Sequence, residues 1–339
     1  MKYVYLANSH TTFLSSLGTI NYLGIKDTDV IFLFARGYSN SIYPLPYTLV
    51  NIDDIYLEAD NAFTSSNPDV RSFYIRKVDE IVNNSIQDNF YLYVPNFCNP
   101  VVRLLYTNHN CKRISFIQEG AQIHLTAFKN NYPLRKTIRE VVSNLLHRRP
   151  FRVWLKGYYY RSDYLYKQKR MYTYGLDNEI FSGIEAEHHI IKWPVPNITL
   201  KYEPNATYFI LDGLVKNKMC EKEVLLKNTK RLIEENASSY NYLKFHPNQA
   251  EEEVKEIISY FINLHLKYEI MDQSFPFELI IIYMHDLKVV GMASSLCFFA
   301  KQLGHHVVCH DDWLYNESDL FRKHLSETGI RLYKDIYNP

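Results

Sequence analysis

A chain of 339 residues is long enough for two domains of ordinary size, and its 47% of hydrophobic residues can form a sizeable core. Its 38 basic and 37 acidic residues nearly cancel, which argues against a nucleic-acid-binding protein, because such proteins usually carry a strong basic excess. The five cysteines form no CxxC pair and no metal-binding spacing, as is typical of proteins in a reducing cytosol.

No segment of the sequence predicts a membrane span. The longest apolar run, residues 279–284, is far shorter than the roughly 20 residues of a transmembrane helix, and we expect it to be a core element. Residues 1–8 become polar too soon for a signal peptide and predict a buried first strand instead. We therefore expect a cytoplasmic protein.

Strands and helices alternate along the first half of the chain, a pattern that is typical of parallel sheets. The predicted strands cover residues 2–7, 29–35, 89–94 and 113–118. The predicted helices cover residues 12–23, 68–84 and 99–108. The segment 151–193 differs, because it is rich in Tyr, Arg and Lys and only its end, 188–193, resembles a strand.

A proline-bearing polar stretch with Pro194, Pro196 and Pro204 then predicts a domain linker. After it the alternation restarts. The predicted strands cover residues 206–211, 241–246, 268–271, 288–292 and 305–309. The predicted helices cover residues 221–236, 249–263, 277–285 and 295–303. From residue 312 onward the pattern is a mixture of helix and loop.

This alternation predicts an α/β fold of two Rossmann-like, doubly wound domains that face a cleft. Residues 1–195 would form an N-terminal, acceptor-side domain with a basic, Tyr-rich insertion at 135–170. Residues 205–339 would form a C-terminal nucleotide-sugar donor domain, whose tail could pack back on the first domain.

A carboxylate follows one predicted strand in the first half. Glu119 and Gly120 come directly after the strand 113–118, at the edge of a parallel sheet where ligands usually bind. Glycine allows a sharp turn there, and a carboxylate in that position can accept a proton from an attacking hydroxyl. An inert, solvated turn glutamate is the alternative.

A histidine occupies the corresponding place in the second half. His246 and Pro247 follow the strand 241–246 and precede a helix with an acidic first turn. An imidazole there can donate to a phosphate or protonate a leaving group, whereas a packed or capping histidine is the alternative.

Two further sites suit a phosphate and a ribose. Ser294 and Ser295 open a predicted helix, where hydroxyls, backbone N–H groups and the helix dipole favour one phosphate, although an ordinary N-cap is an equal alternative. Glu278 lies in the first turn of another helix and could hold ribose hydroxyls, or could simply be a favourable first-turn acid.

Some residues at strand ends have more than one candidate role. Asp212 and Gly213 end the first strand of the second half and, like Glu119 and Gly120, form an acid-glycine pair at a strand end. Asp212 is therefore an alternative candidate for the general base, and Gly213 is a candidate contact to the donor. His10 and Thr11 lie in the first strand-to-helix turn and could touch either substrate, although a capped helix start is the favoured reading.

The tract 135–170 concentrates positive charge. It contains eleven basic and two acidic residues, interleaved with Trp154 and the tyrosines at 158–160, within a chain of net charge +1. This pattern favours a peripheral contact with a membrane surface or a lipid pyrophosphate, and a solvated helix and hairpin face is the alternative.

The absence of nucleotide-binding and metal-binding motifs limits the class of ligand that we expect. The sequence has no Walker loop and no GxGxxG, which disfavours nucleoside triphosphates and dinucleotides. Its only Asp-x-Asp, formed by Asp27 and Asp29, precedes a predicted strand rather than following one, so we do not expect a metal site there. One phosphate cradle without a metal suits a nucleoside monophosphate sugar.

The order Glu-Gly, His-Pro, Ser-Ser resembles the bacterial sialyltransferases of the GT-B type, which include lipooligosaccharide, O-antigen and capsule enzymes and polysialyltransferases. The matching motifs span most of the chain and read Gln118-Glu119-Gly120, Lys244-Phe245-His246-Pro247 and Ala293-Ser294-Ser295. The family carries an acidic pair before the glycine, and this chain has glutamine at the first position, which puts acceptor orientation in doubt.

The resemblance implies transfer of sialic acid from CMP-sialic acid with inversion and without a metal or other cofactor. Glu119 would deprotonate the acceptor and His246 would assist the departure of CMP. Ser294 and Ser295 would hold the phosphate, and Glu278 the ribose. The acceptor would be a surface glycan, with a lipid-linked terminal galactose or N-acetylgalactosamine as our choice.

Three other readings stay open. The protein could transfer another CMP-activated keto-sugar, or it could be a non-catalytic glycan-binding or assembly protein of the same fold. A sugar-nucleotide epimerase is a weaker option, because it would need a diphosphate cradle.

Overall fold

The chain forms two compact α/β units in a computed structural model, and Pro194 is the last residue of the first unit. The structure describes residues 1–40, 42–43, 45–64, 68–120, 168–181, 184–203 and 205–337. The basic tract 135–170 therefore lies almost entirely outside the described residues, and the interpretation of it as a surface patch stays a prediction.

The first unit is built on a parallel sheet of seven described strands. They are β1 (Lys2–Ala7), β2 (Val30–Phe34), β3 (Thr48–Asn51), β4 (Phe90–Val94), β5 (Cys111–Ile117), β6 (Tyr172–Gly175) and β7 (Glu187–Ile190). Its helices are α1 (His10–Leu23), α2 (Asp53–Thr64), α3 (Pro68–Ile81) and α4 (Pro100–Thr107). A 3₁₀ turn, Asp27–Asp29, precedes β2, and a π turn, Val82–Ile86, follows α3.

The strand order of this sheet is β3-β2-β1-β4-β5-β6-β7, and each neighbouring pair is parallel. The chain runs outward from β1 in one direction and then restarts on the other side with β4, so the order reverses between β1 and β4. The five residues of β2 are all buried, as expected for a strand that is covered on both faces.

The second unit repeats this architecture with five strands. They are β8 (Thr207–Leu211), β9 (Asn241–Phe245), β10 (Tyr268–Ile270), β11 (Lys288–Gly291) and β12 (His306–Cys309). The helices are α5 (Lys222–Asn236), α6 (Glu251–Asn263), α7 (Phe277–Tyr283), α8 (Ser295–Gln302), α9 (Asp311–Glu317), α10 (Asp319–Thr328) and α11 (Tyr333–Tyr337). The order is β10-β9-β8-β11-β12, all parallel, and it reverses between β8 and β11.

The C-terminal helices contribute to the core of the second unit. Leu314, Phe321 and Leu325 are buried in the same apolar cluster as Phe209 of β8 and Phe261 of α6. The alternation read from the sequence is thus confirmed as two doubly wound, Rossmann-like units.

Four elements of the first unit differ from the sequence prediction. The strands Thr48–Asn51 and Tyr172–Gly175 and the helix Asp53–Thr64 were not predicted, and the predicted strand 188–193 begins and ends earlier, at Glu187–Ile190. The strand β3 is a short, mostly exposed edge strand, so it has no apolar run that would reveal it.

Among the described residues, no helix is both long enough and apolar enough to cross a bilayer.

Candidate functional site

Ligands of open parallel sheets bind beyond the carboxyl ends of the strands, at the point where the strand order reverses. Each unit has a polar cluster at this position. In the first unit it lies around Glu119, and in the second around His246 and Asp212.

Glu119 lies just beyond β5, and both of its carboxylate oxygens accept hydrogen bonds. The Nδ2 of Asn8, just after β1, donates to Oε1 at 3.2 Å. The Nδ2 of Asn96, just beyond β4, donates to Oε2 at 2.8 Å. Because the order of the sheet reverses between β1 and β4, the two amides flank the reversal point, and Glu119 is held there.

The ionised carboxylate of Glu119 only accepts hydrogen bonds, so the Nδ2 group of each asparagine must face it. The Oδ1 of Asn8 accepts from the hydroxyl of Thr12 at 3.1 Å. The Oδ1 of Asn96 accepts from the backbone N–H of Cys98 at 3.0 Å. Both asparagines therefore present N–H groups to the carboxylate, which has about four acceptor positions and keeps free capacity for a substrate hydroxyl.

Arg36 adds a positive charge beside this carboxylate. Its Nη1 lies 3.8 Å from Oε1 of Glu119, and its side chain is 57% exposed. Its backbone adopts a left-handed conformation, with φ of 61°, just beyond β2. Residues other than glycine adopt this conformation mainly where the surroundings require it, and such positions concentrate at functional sites.

Gln118, the residue before Glu119, is buried between strands. Its side-chain Oε1 accepts from the backbone N–H of Leu176 at 2.8 Å, and its backbone N–H donates to the carbonyl of Tyr174 at 2.9 Å. The side chain thus ties β5 to the end of β6 and is only 1% exposed.

The other acceptor candidates lie at the same edge. Ser9 and Thr12 form a capping box at the start of α1. His10, the first residue of this helix, packs its ring edge against Tyr38 at 5.1 Å between centroids. Thr11 is buried, and Gly120 directly follows Glu119.

His246 lies just beyond β9, next to β8. Its backbone N–H donates to the carbonyl of Leu211 at 3.0 Å, which extends the pairing of the two strands. Its Nδ1 accepts from the backbone N–H of Asn248 at 3.0 Å. This bond assigns the tautomer with the proton on Nε2, and partial burial lowers the pKa of the imidazole. The ring is therefore a neutral hydrogen-bond donor near pH 7.

Gly213 is required by the position of this imidazole. A Cβ at residue 213 would lie 2.6 Å from the Nδ1 of His246, closer than atoms can pack. The glycine therefore lets the histidine ring lie directly against the chain that leaves β8.

Asp212 connects the two strands that flank the reversal point of the second sheet. Its Oδ2 accepts from the backbone N–H of Ala293 at 3.1 Å, and the carboxylate also bonds the backbone of Met292. Burial raises the pKa of Asp212 to about 6, and the two backbone bonds oppose this shift. The carboxylate anchors the turn that leads into Ser294.

Ser294 and Ser295 begin α8, and their hydroxyls differ in role. Ser294 is the N-cap, and its Oγ accepts from the backbone N–H of Leu296 at 3.3 Å. Ser295 is exposed. Ser294 therefore caps the helix, and a cap leaves the other N–H groups of the first turn available to a ligand.

Glu278 is half-buried in the first turn of α7, and the ammonium of Lys244 organises the loop before it. This ammonium donates to the carbonyls of Asp272 at 2.7 Å and Phe275 at 2.8 Å. Burial lowers the pKa of Lys244, while the charge of Glu278 acts in the opposite direction.

Sequence reasoning did not select Asn96, Arg36 or Lys244. The first two directly follow strands, at Pro95-Asn96 and Ala35-Arg36, so their position could have drawn attention to them. Their partner Glu119 could not be identified from sequence spacing, because it is brought to them by the sheet order.

No protein-family model matches the chain, and no curated protein matches it in sequence. Among solved structures it is similar to UDP-bound MnaA from S. aureus, with a TM-score of 0.48 and 8% identity over 97% of this chain and 91% of that one. It is also similar to UDP-GlcNAc 2-epimerase from Methanocaldococcus jannaschii, with a TM-score of 0.47 and 13% identity over 97% and 87%.

A third similar structure is the spinosyn rhamnosyltransferase SpnG in complex with spinosyn aglycone, with a TM-score of 0.43 and 12% identity over 97% of this chain and 85% of that one. Likeness at this level concerns the arrangement of elements and does not indicate a ligand.

Proposed function

We propose that the protein is an inverting, metal-independent sialyltransferase that moves sialic acid from CMP-sialic acid to a hydroxyl of a bacterial surface glycan. The observation that carries the proposal is the placement of the three motifs. Glu119, His246 and the Ser294-Ser295 pair each lie directly beyond the carboxyl end of a parallel strand, where such sheets bind ligands.

Glu119 serves as the general base in this reaction. Its carboxylate accepts the proton of the acceptor hydroxyl, whose oxygen then bonds to the anomeric carbon of the sialic acid. The bond from that carbon to the CMP phosphate breaks, and the electron pair leaves with CMP. Attack on the face opposite the phosphate inverts the anomeric configuration.

His246 stabilises the leaving phosphate as a neutral donor. Since Asn248 occupies its Nδ1, the proton on Nε2 is the group that can reach a phosphate oxygen. A fixed donor placed where negative charge develops needs no reorganisation during the reaction. A phosphate leaving group is weakly basic, so hydrogen bonding suffices and full proton transfer is not required.

The remaining donor contacts come from the same sheet edge. The N–H groups at the start of α8 and the hydroxyl of Ser295 bind the phosphate, and Glu278 binds ribose hydroxyls. Pro247 and Gly213 shape the backbone on either side of the His246 ring. The proposed base lies in the first unit, and the proposed donor residues lie in the second.

The acceptor side carries its own proposals. Gly120, His10 and Thr11 lie at the edge of the first sheet and would contact the acceptor, for which a terminal galactose or N-acetylgalactosamine is our choice. The basic tract 135–170 would bring a cytoplasmic enzyme to the membrane surface, where lipid-linked glycans are found.

Two alternative functions remain. The motifs do not distinguish sialic acid from another CMP-activated keto-sugar as the transferred group. A non-catalytic glycan-assembly protein could have the same polar residues at the carboxyl ends of its strands.

The first experiment is a thermal-shift comparison of CMP with UDP, GDP and ADP. A ligand at 100 times its dissociation constant stabilises the folded state by about 2.7 kcal/mol. We expect CMP alone to raise the melting temperature, and we expect the variant His246→Ala to lose this rise.

The matched control is His306→Ala, which removes an exposed histidine at the amino end of β12 in the same unit. It should keep the full response to CMP. A larger shift with UDP or GDP, or an unchanged shift in His246→Ala, would contradict the proposed donor. Transfer of labelled sialic acid to galactose-terminated glycans then tests the reaction itself.

A further inference from the structure

We propose that Asn8 and Asn96 are positioning residues that hold the carboxylate of Glu119 in one orientation from both sides. This inference rests on the proposed function, because it assigns Glu119 the role of base. It adds two residues that the sequence motifs do not contain.

The geometry leaves the carboxylate little freedom. Asn8 donates to Oε1 at 3.2 Å and Asn96 donates to Oε2 at 2.8 Å. Rotation of the carboxylate plane would lengthen at least one of these bonds. The two donors follow β1 and β4, the paired strands at the reversal point, so the sheet limits the separation between them.

The two hydrogen bonds from the amides leave the carboxylate of Glu119 able to accept further hydrogen bonds. The two amides use two of about four acceptor positions. Arg36, at 3.8 Å, is beyond hydrogen-bond distance and contributes charge without occupying a further position. A substrate hydroxyl can therefore still bond to either oxygen, in a direction that the amides fix. A base held within hydrogen-bond reach of its proton is what general base catalysis requires.

Each amide has a separate local task, and this allows a clean test. The Oδ1 atoms accept bonds from Thr12 and Cys98, whereas only the Nδ2 groups face Glu119. A change of asparagine to aspartate keeps an oxygen for the local bond and replaces the facing N–H group with a second carboxylate oxygen. The change is therefore isosteric and affects mainly the contact with Glu119.

The decisive variants are Asn96→Asp and Asn8→Asp. A like charge beside a carboxylate favours the protonated form, so the acid limb of the pH profile for kcat/KM should move upward by about one pH unit. On the sloping acid limb the rate should fall by up to about tenfold, the most that a shift of one pH unit can cause, while the KM for CMP-sialic acid should change little, because its proposed contacts lie in the other unit. The longer bond makes Asn8→Asp the weaker variant.

Asn51→Asp is the matched control. Asn51 ends β3 at the same sheet edge, and its Oδ1 accepts from the backbone N–H of Asp53 at 2.8 Å, so the variant adds the same charge and keeps the local bond. We expect the wild-type pH profile. A shift as large as that of Asn96→Asp would mean that general surface charge causes the effect, and would overturn the proposal.

A second measurement needs no activity. Above pH 6, Asn96→Asp should lower the free energy of unfolding, and Glu119→Gln in the same chain should restore it, because the glutamine amide can donate to the introduced carboxylate. A double-mutant cycle with these two changes isolates their coupling. Absence of coupling overturns the proposal, whatever the enzyme acts on.

The two measurements separate the two ideas. Coupling in the cycle together with no sialyl transfer by the wild-type protein would reject the proposed function and the catalytic role of the hold. Sialyl transfer with an unshifted profile in Asn96→Asp would keep the function and reject the positioning role. Sialyl transfer by the wild type, a shifted acid limb in Asn96→Asp and coupling in the double-mutant cycle would together support both the proposed function and the positioning role.

Discussion

The two sheet edges contain the same local motif, a carboxylate followed by glycine after a strand, with opposite surroundings. Glu119 is part-exposed, at 29% for its side chain, and is held by side-chain amides from other strands. Asp212 is 6% exposed and is held by backbone N–H groups of the β11–α8 turn. One carboxylate can reach a substrate, whereas the other joins two strands of its sheet.

The comparison shows that the position after a strand does not by itself define a base. What separates the two groups is the source of their hydrogen bonds and the access of solvent to them. These features support the proposal that Glu119 rather than Asp212 is the base, whereas Asp212 supports the turn that leads into Ser294.

The strongest test of the difference between Glu119 and Asp212 is to neutralise each carboxylate in turn. We expect Glu119→Gln to reduce kcat by roughly 10²–10⁴, the range for loss of a general base. Asp212→Asn keeps an acceptor for the N–H of Ala293 and should reduce kcat less than about tenfold. Sialyl transfer rates of the two variants decide the matter, and a reversed order would make Asp212 the base.

The contact between Gly213 and His246 gives the next largest effect. In Gly213→Ala the new methyl group would lie 2.6 Å from the ring, so the imidazole must move. We expect the thermal shift with CMP to fall to the level of His246→Ala. Isothermal titration with CMP measures the affinity directly, and unchanged affinity would show that the ring position is unimportant.

Buried carboxylates should also make the stability of the second unit depend on pH. The Oδ2 of Asp311 accepts from the N–H of Tyr333 at 2.6 Å, its Oδ1 has no hydrogen-bond partner among the described residues, and burial raises its pKa to about 7. Because the folded-state pKa values of Asp212 and Asp311 exceed 3.8, these two carboxyls bind more protons in the folded protein than in the unfolded chain between about pH 4 and 7. Their contribution to stability should therefore fall as pH rises through this window.

Asp311→Asn removes part of that dependence. We expect a flatter curve of unfolding free energy against pH, with a difference at pH 8 of at most about 4 kcal/mol, since one pKa unit corresponds to 1.36 kcal/mol. Urea denaturation at pH 4, 6 and 8 measures it. An equally steep curve in Asp311→Asn would show that this carboxyl is not responsible.

The smallest expected effect concerns the missing acid of the motif. Gln118→Glu would restore the acidic pair, but the side chain lies between strands and faces the N–H of Leu176. We expect activity within about threefold of the wild type and a loss of about 1–3 kcal/mol, the usual cost of a poorly compensated buried polar group. Kinetics and urea denaturation test both expectations, and a large gain in activity would mean that residue 118 reaches the substrate.

The regular elements were largely predictable, because buried parallel strands read as apolar runs and helices as periodic segments. The strand β8 was predicted at 206–211 and lies at Thr207–Leu211. The exposed edge strand β3 has neither signal. The polar strand ends could also be read, because Glu119, His246 and Ser294 directly follow or precede recognisable elements.

The partners of those residues could not be predicted in the same way. The bonds from Asn8 and Asn96 to Glu119 depend on which strands are neighbours, and one sequence does not reveal sheet order. The different burial of Asp212 and Glu119 has the same origin. Local patterns indicate where a polar group lies along the chain, whereas its surroundings depend on distant segments.

The bond between Asn8 and Glu119 also has a consequence for how the protein forms during synthesis. The two residues are 111 positions apart, and Asp212 and Ala293 are 81 apart. Contacts of such long range cost loop-closure entropy and form late in folding. On the ribosome, the edge of the first unit cannot assemble until β5 has emerged, so a nascent or truncated chain that ends before Glu119 lacks the cluster that joins Glu119 to Asn8 and Asn96.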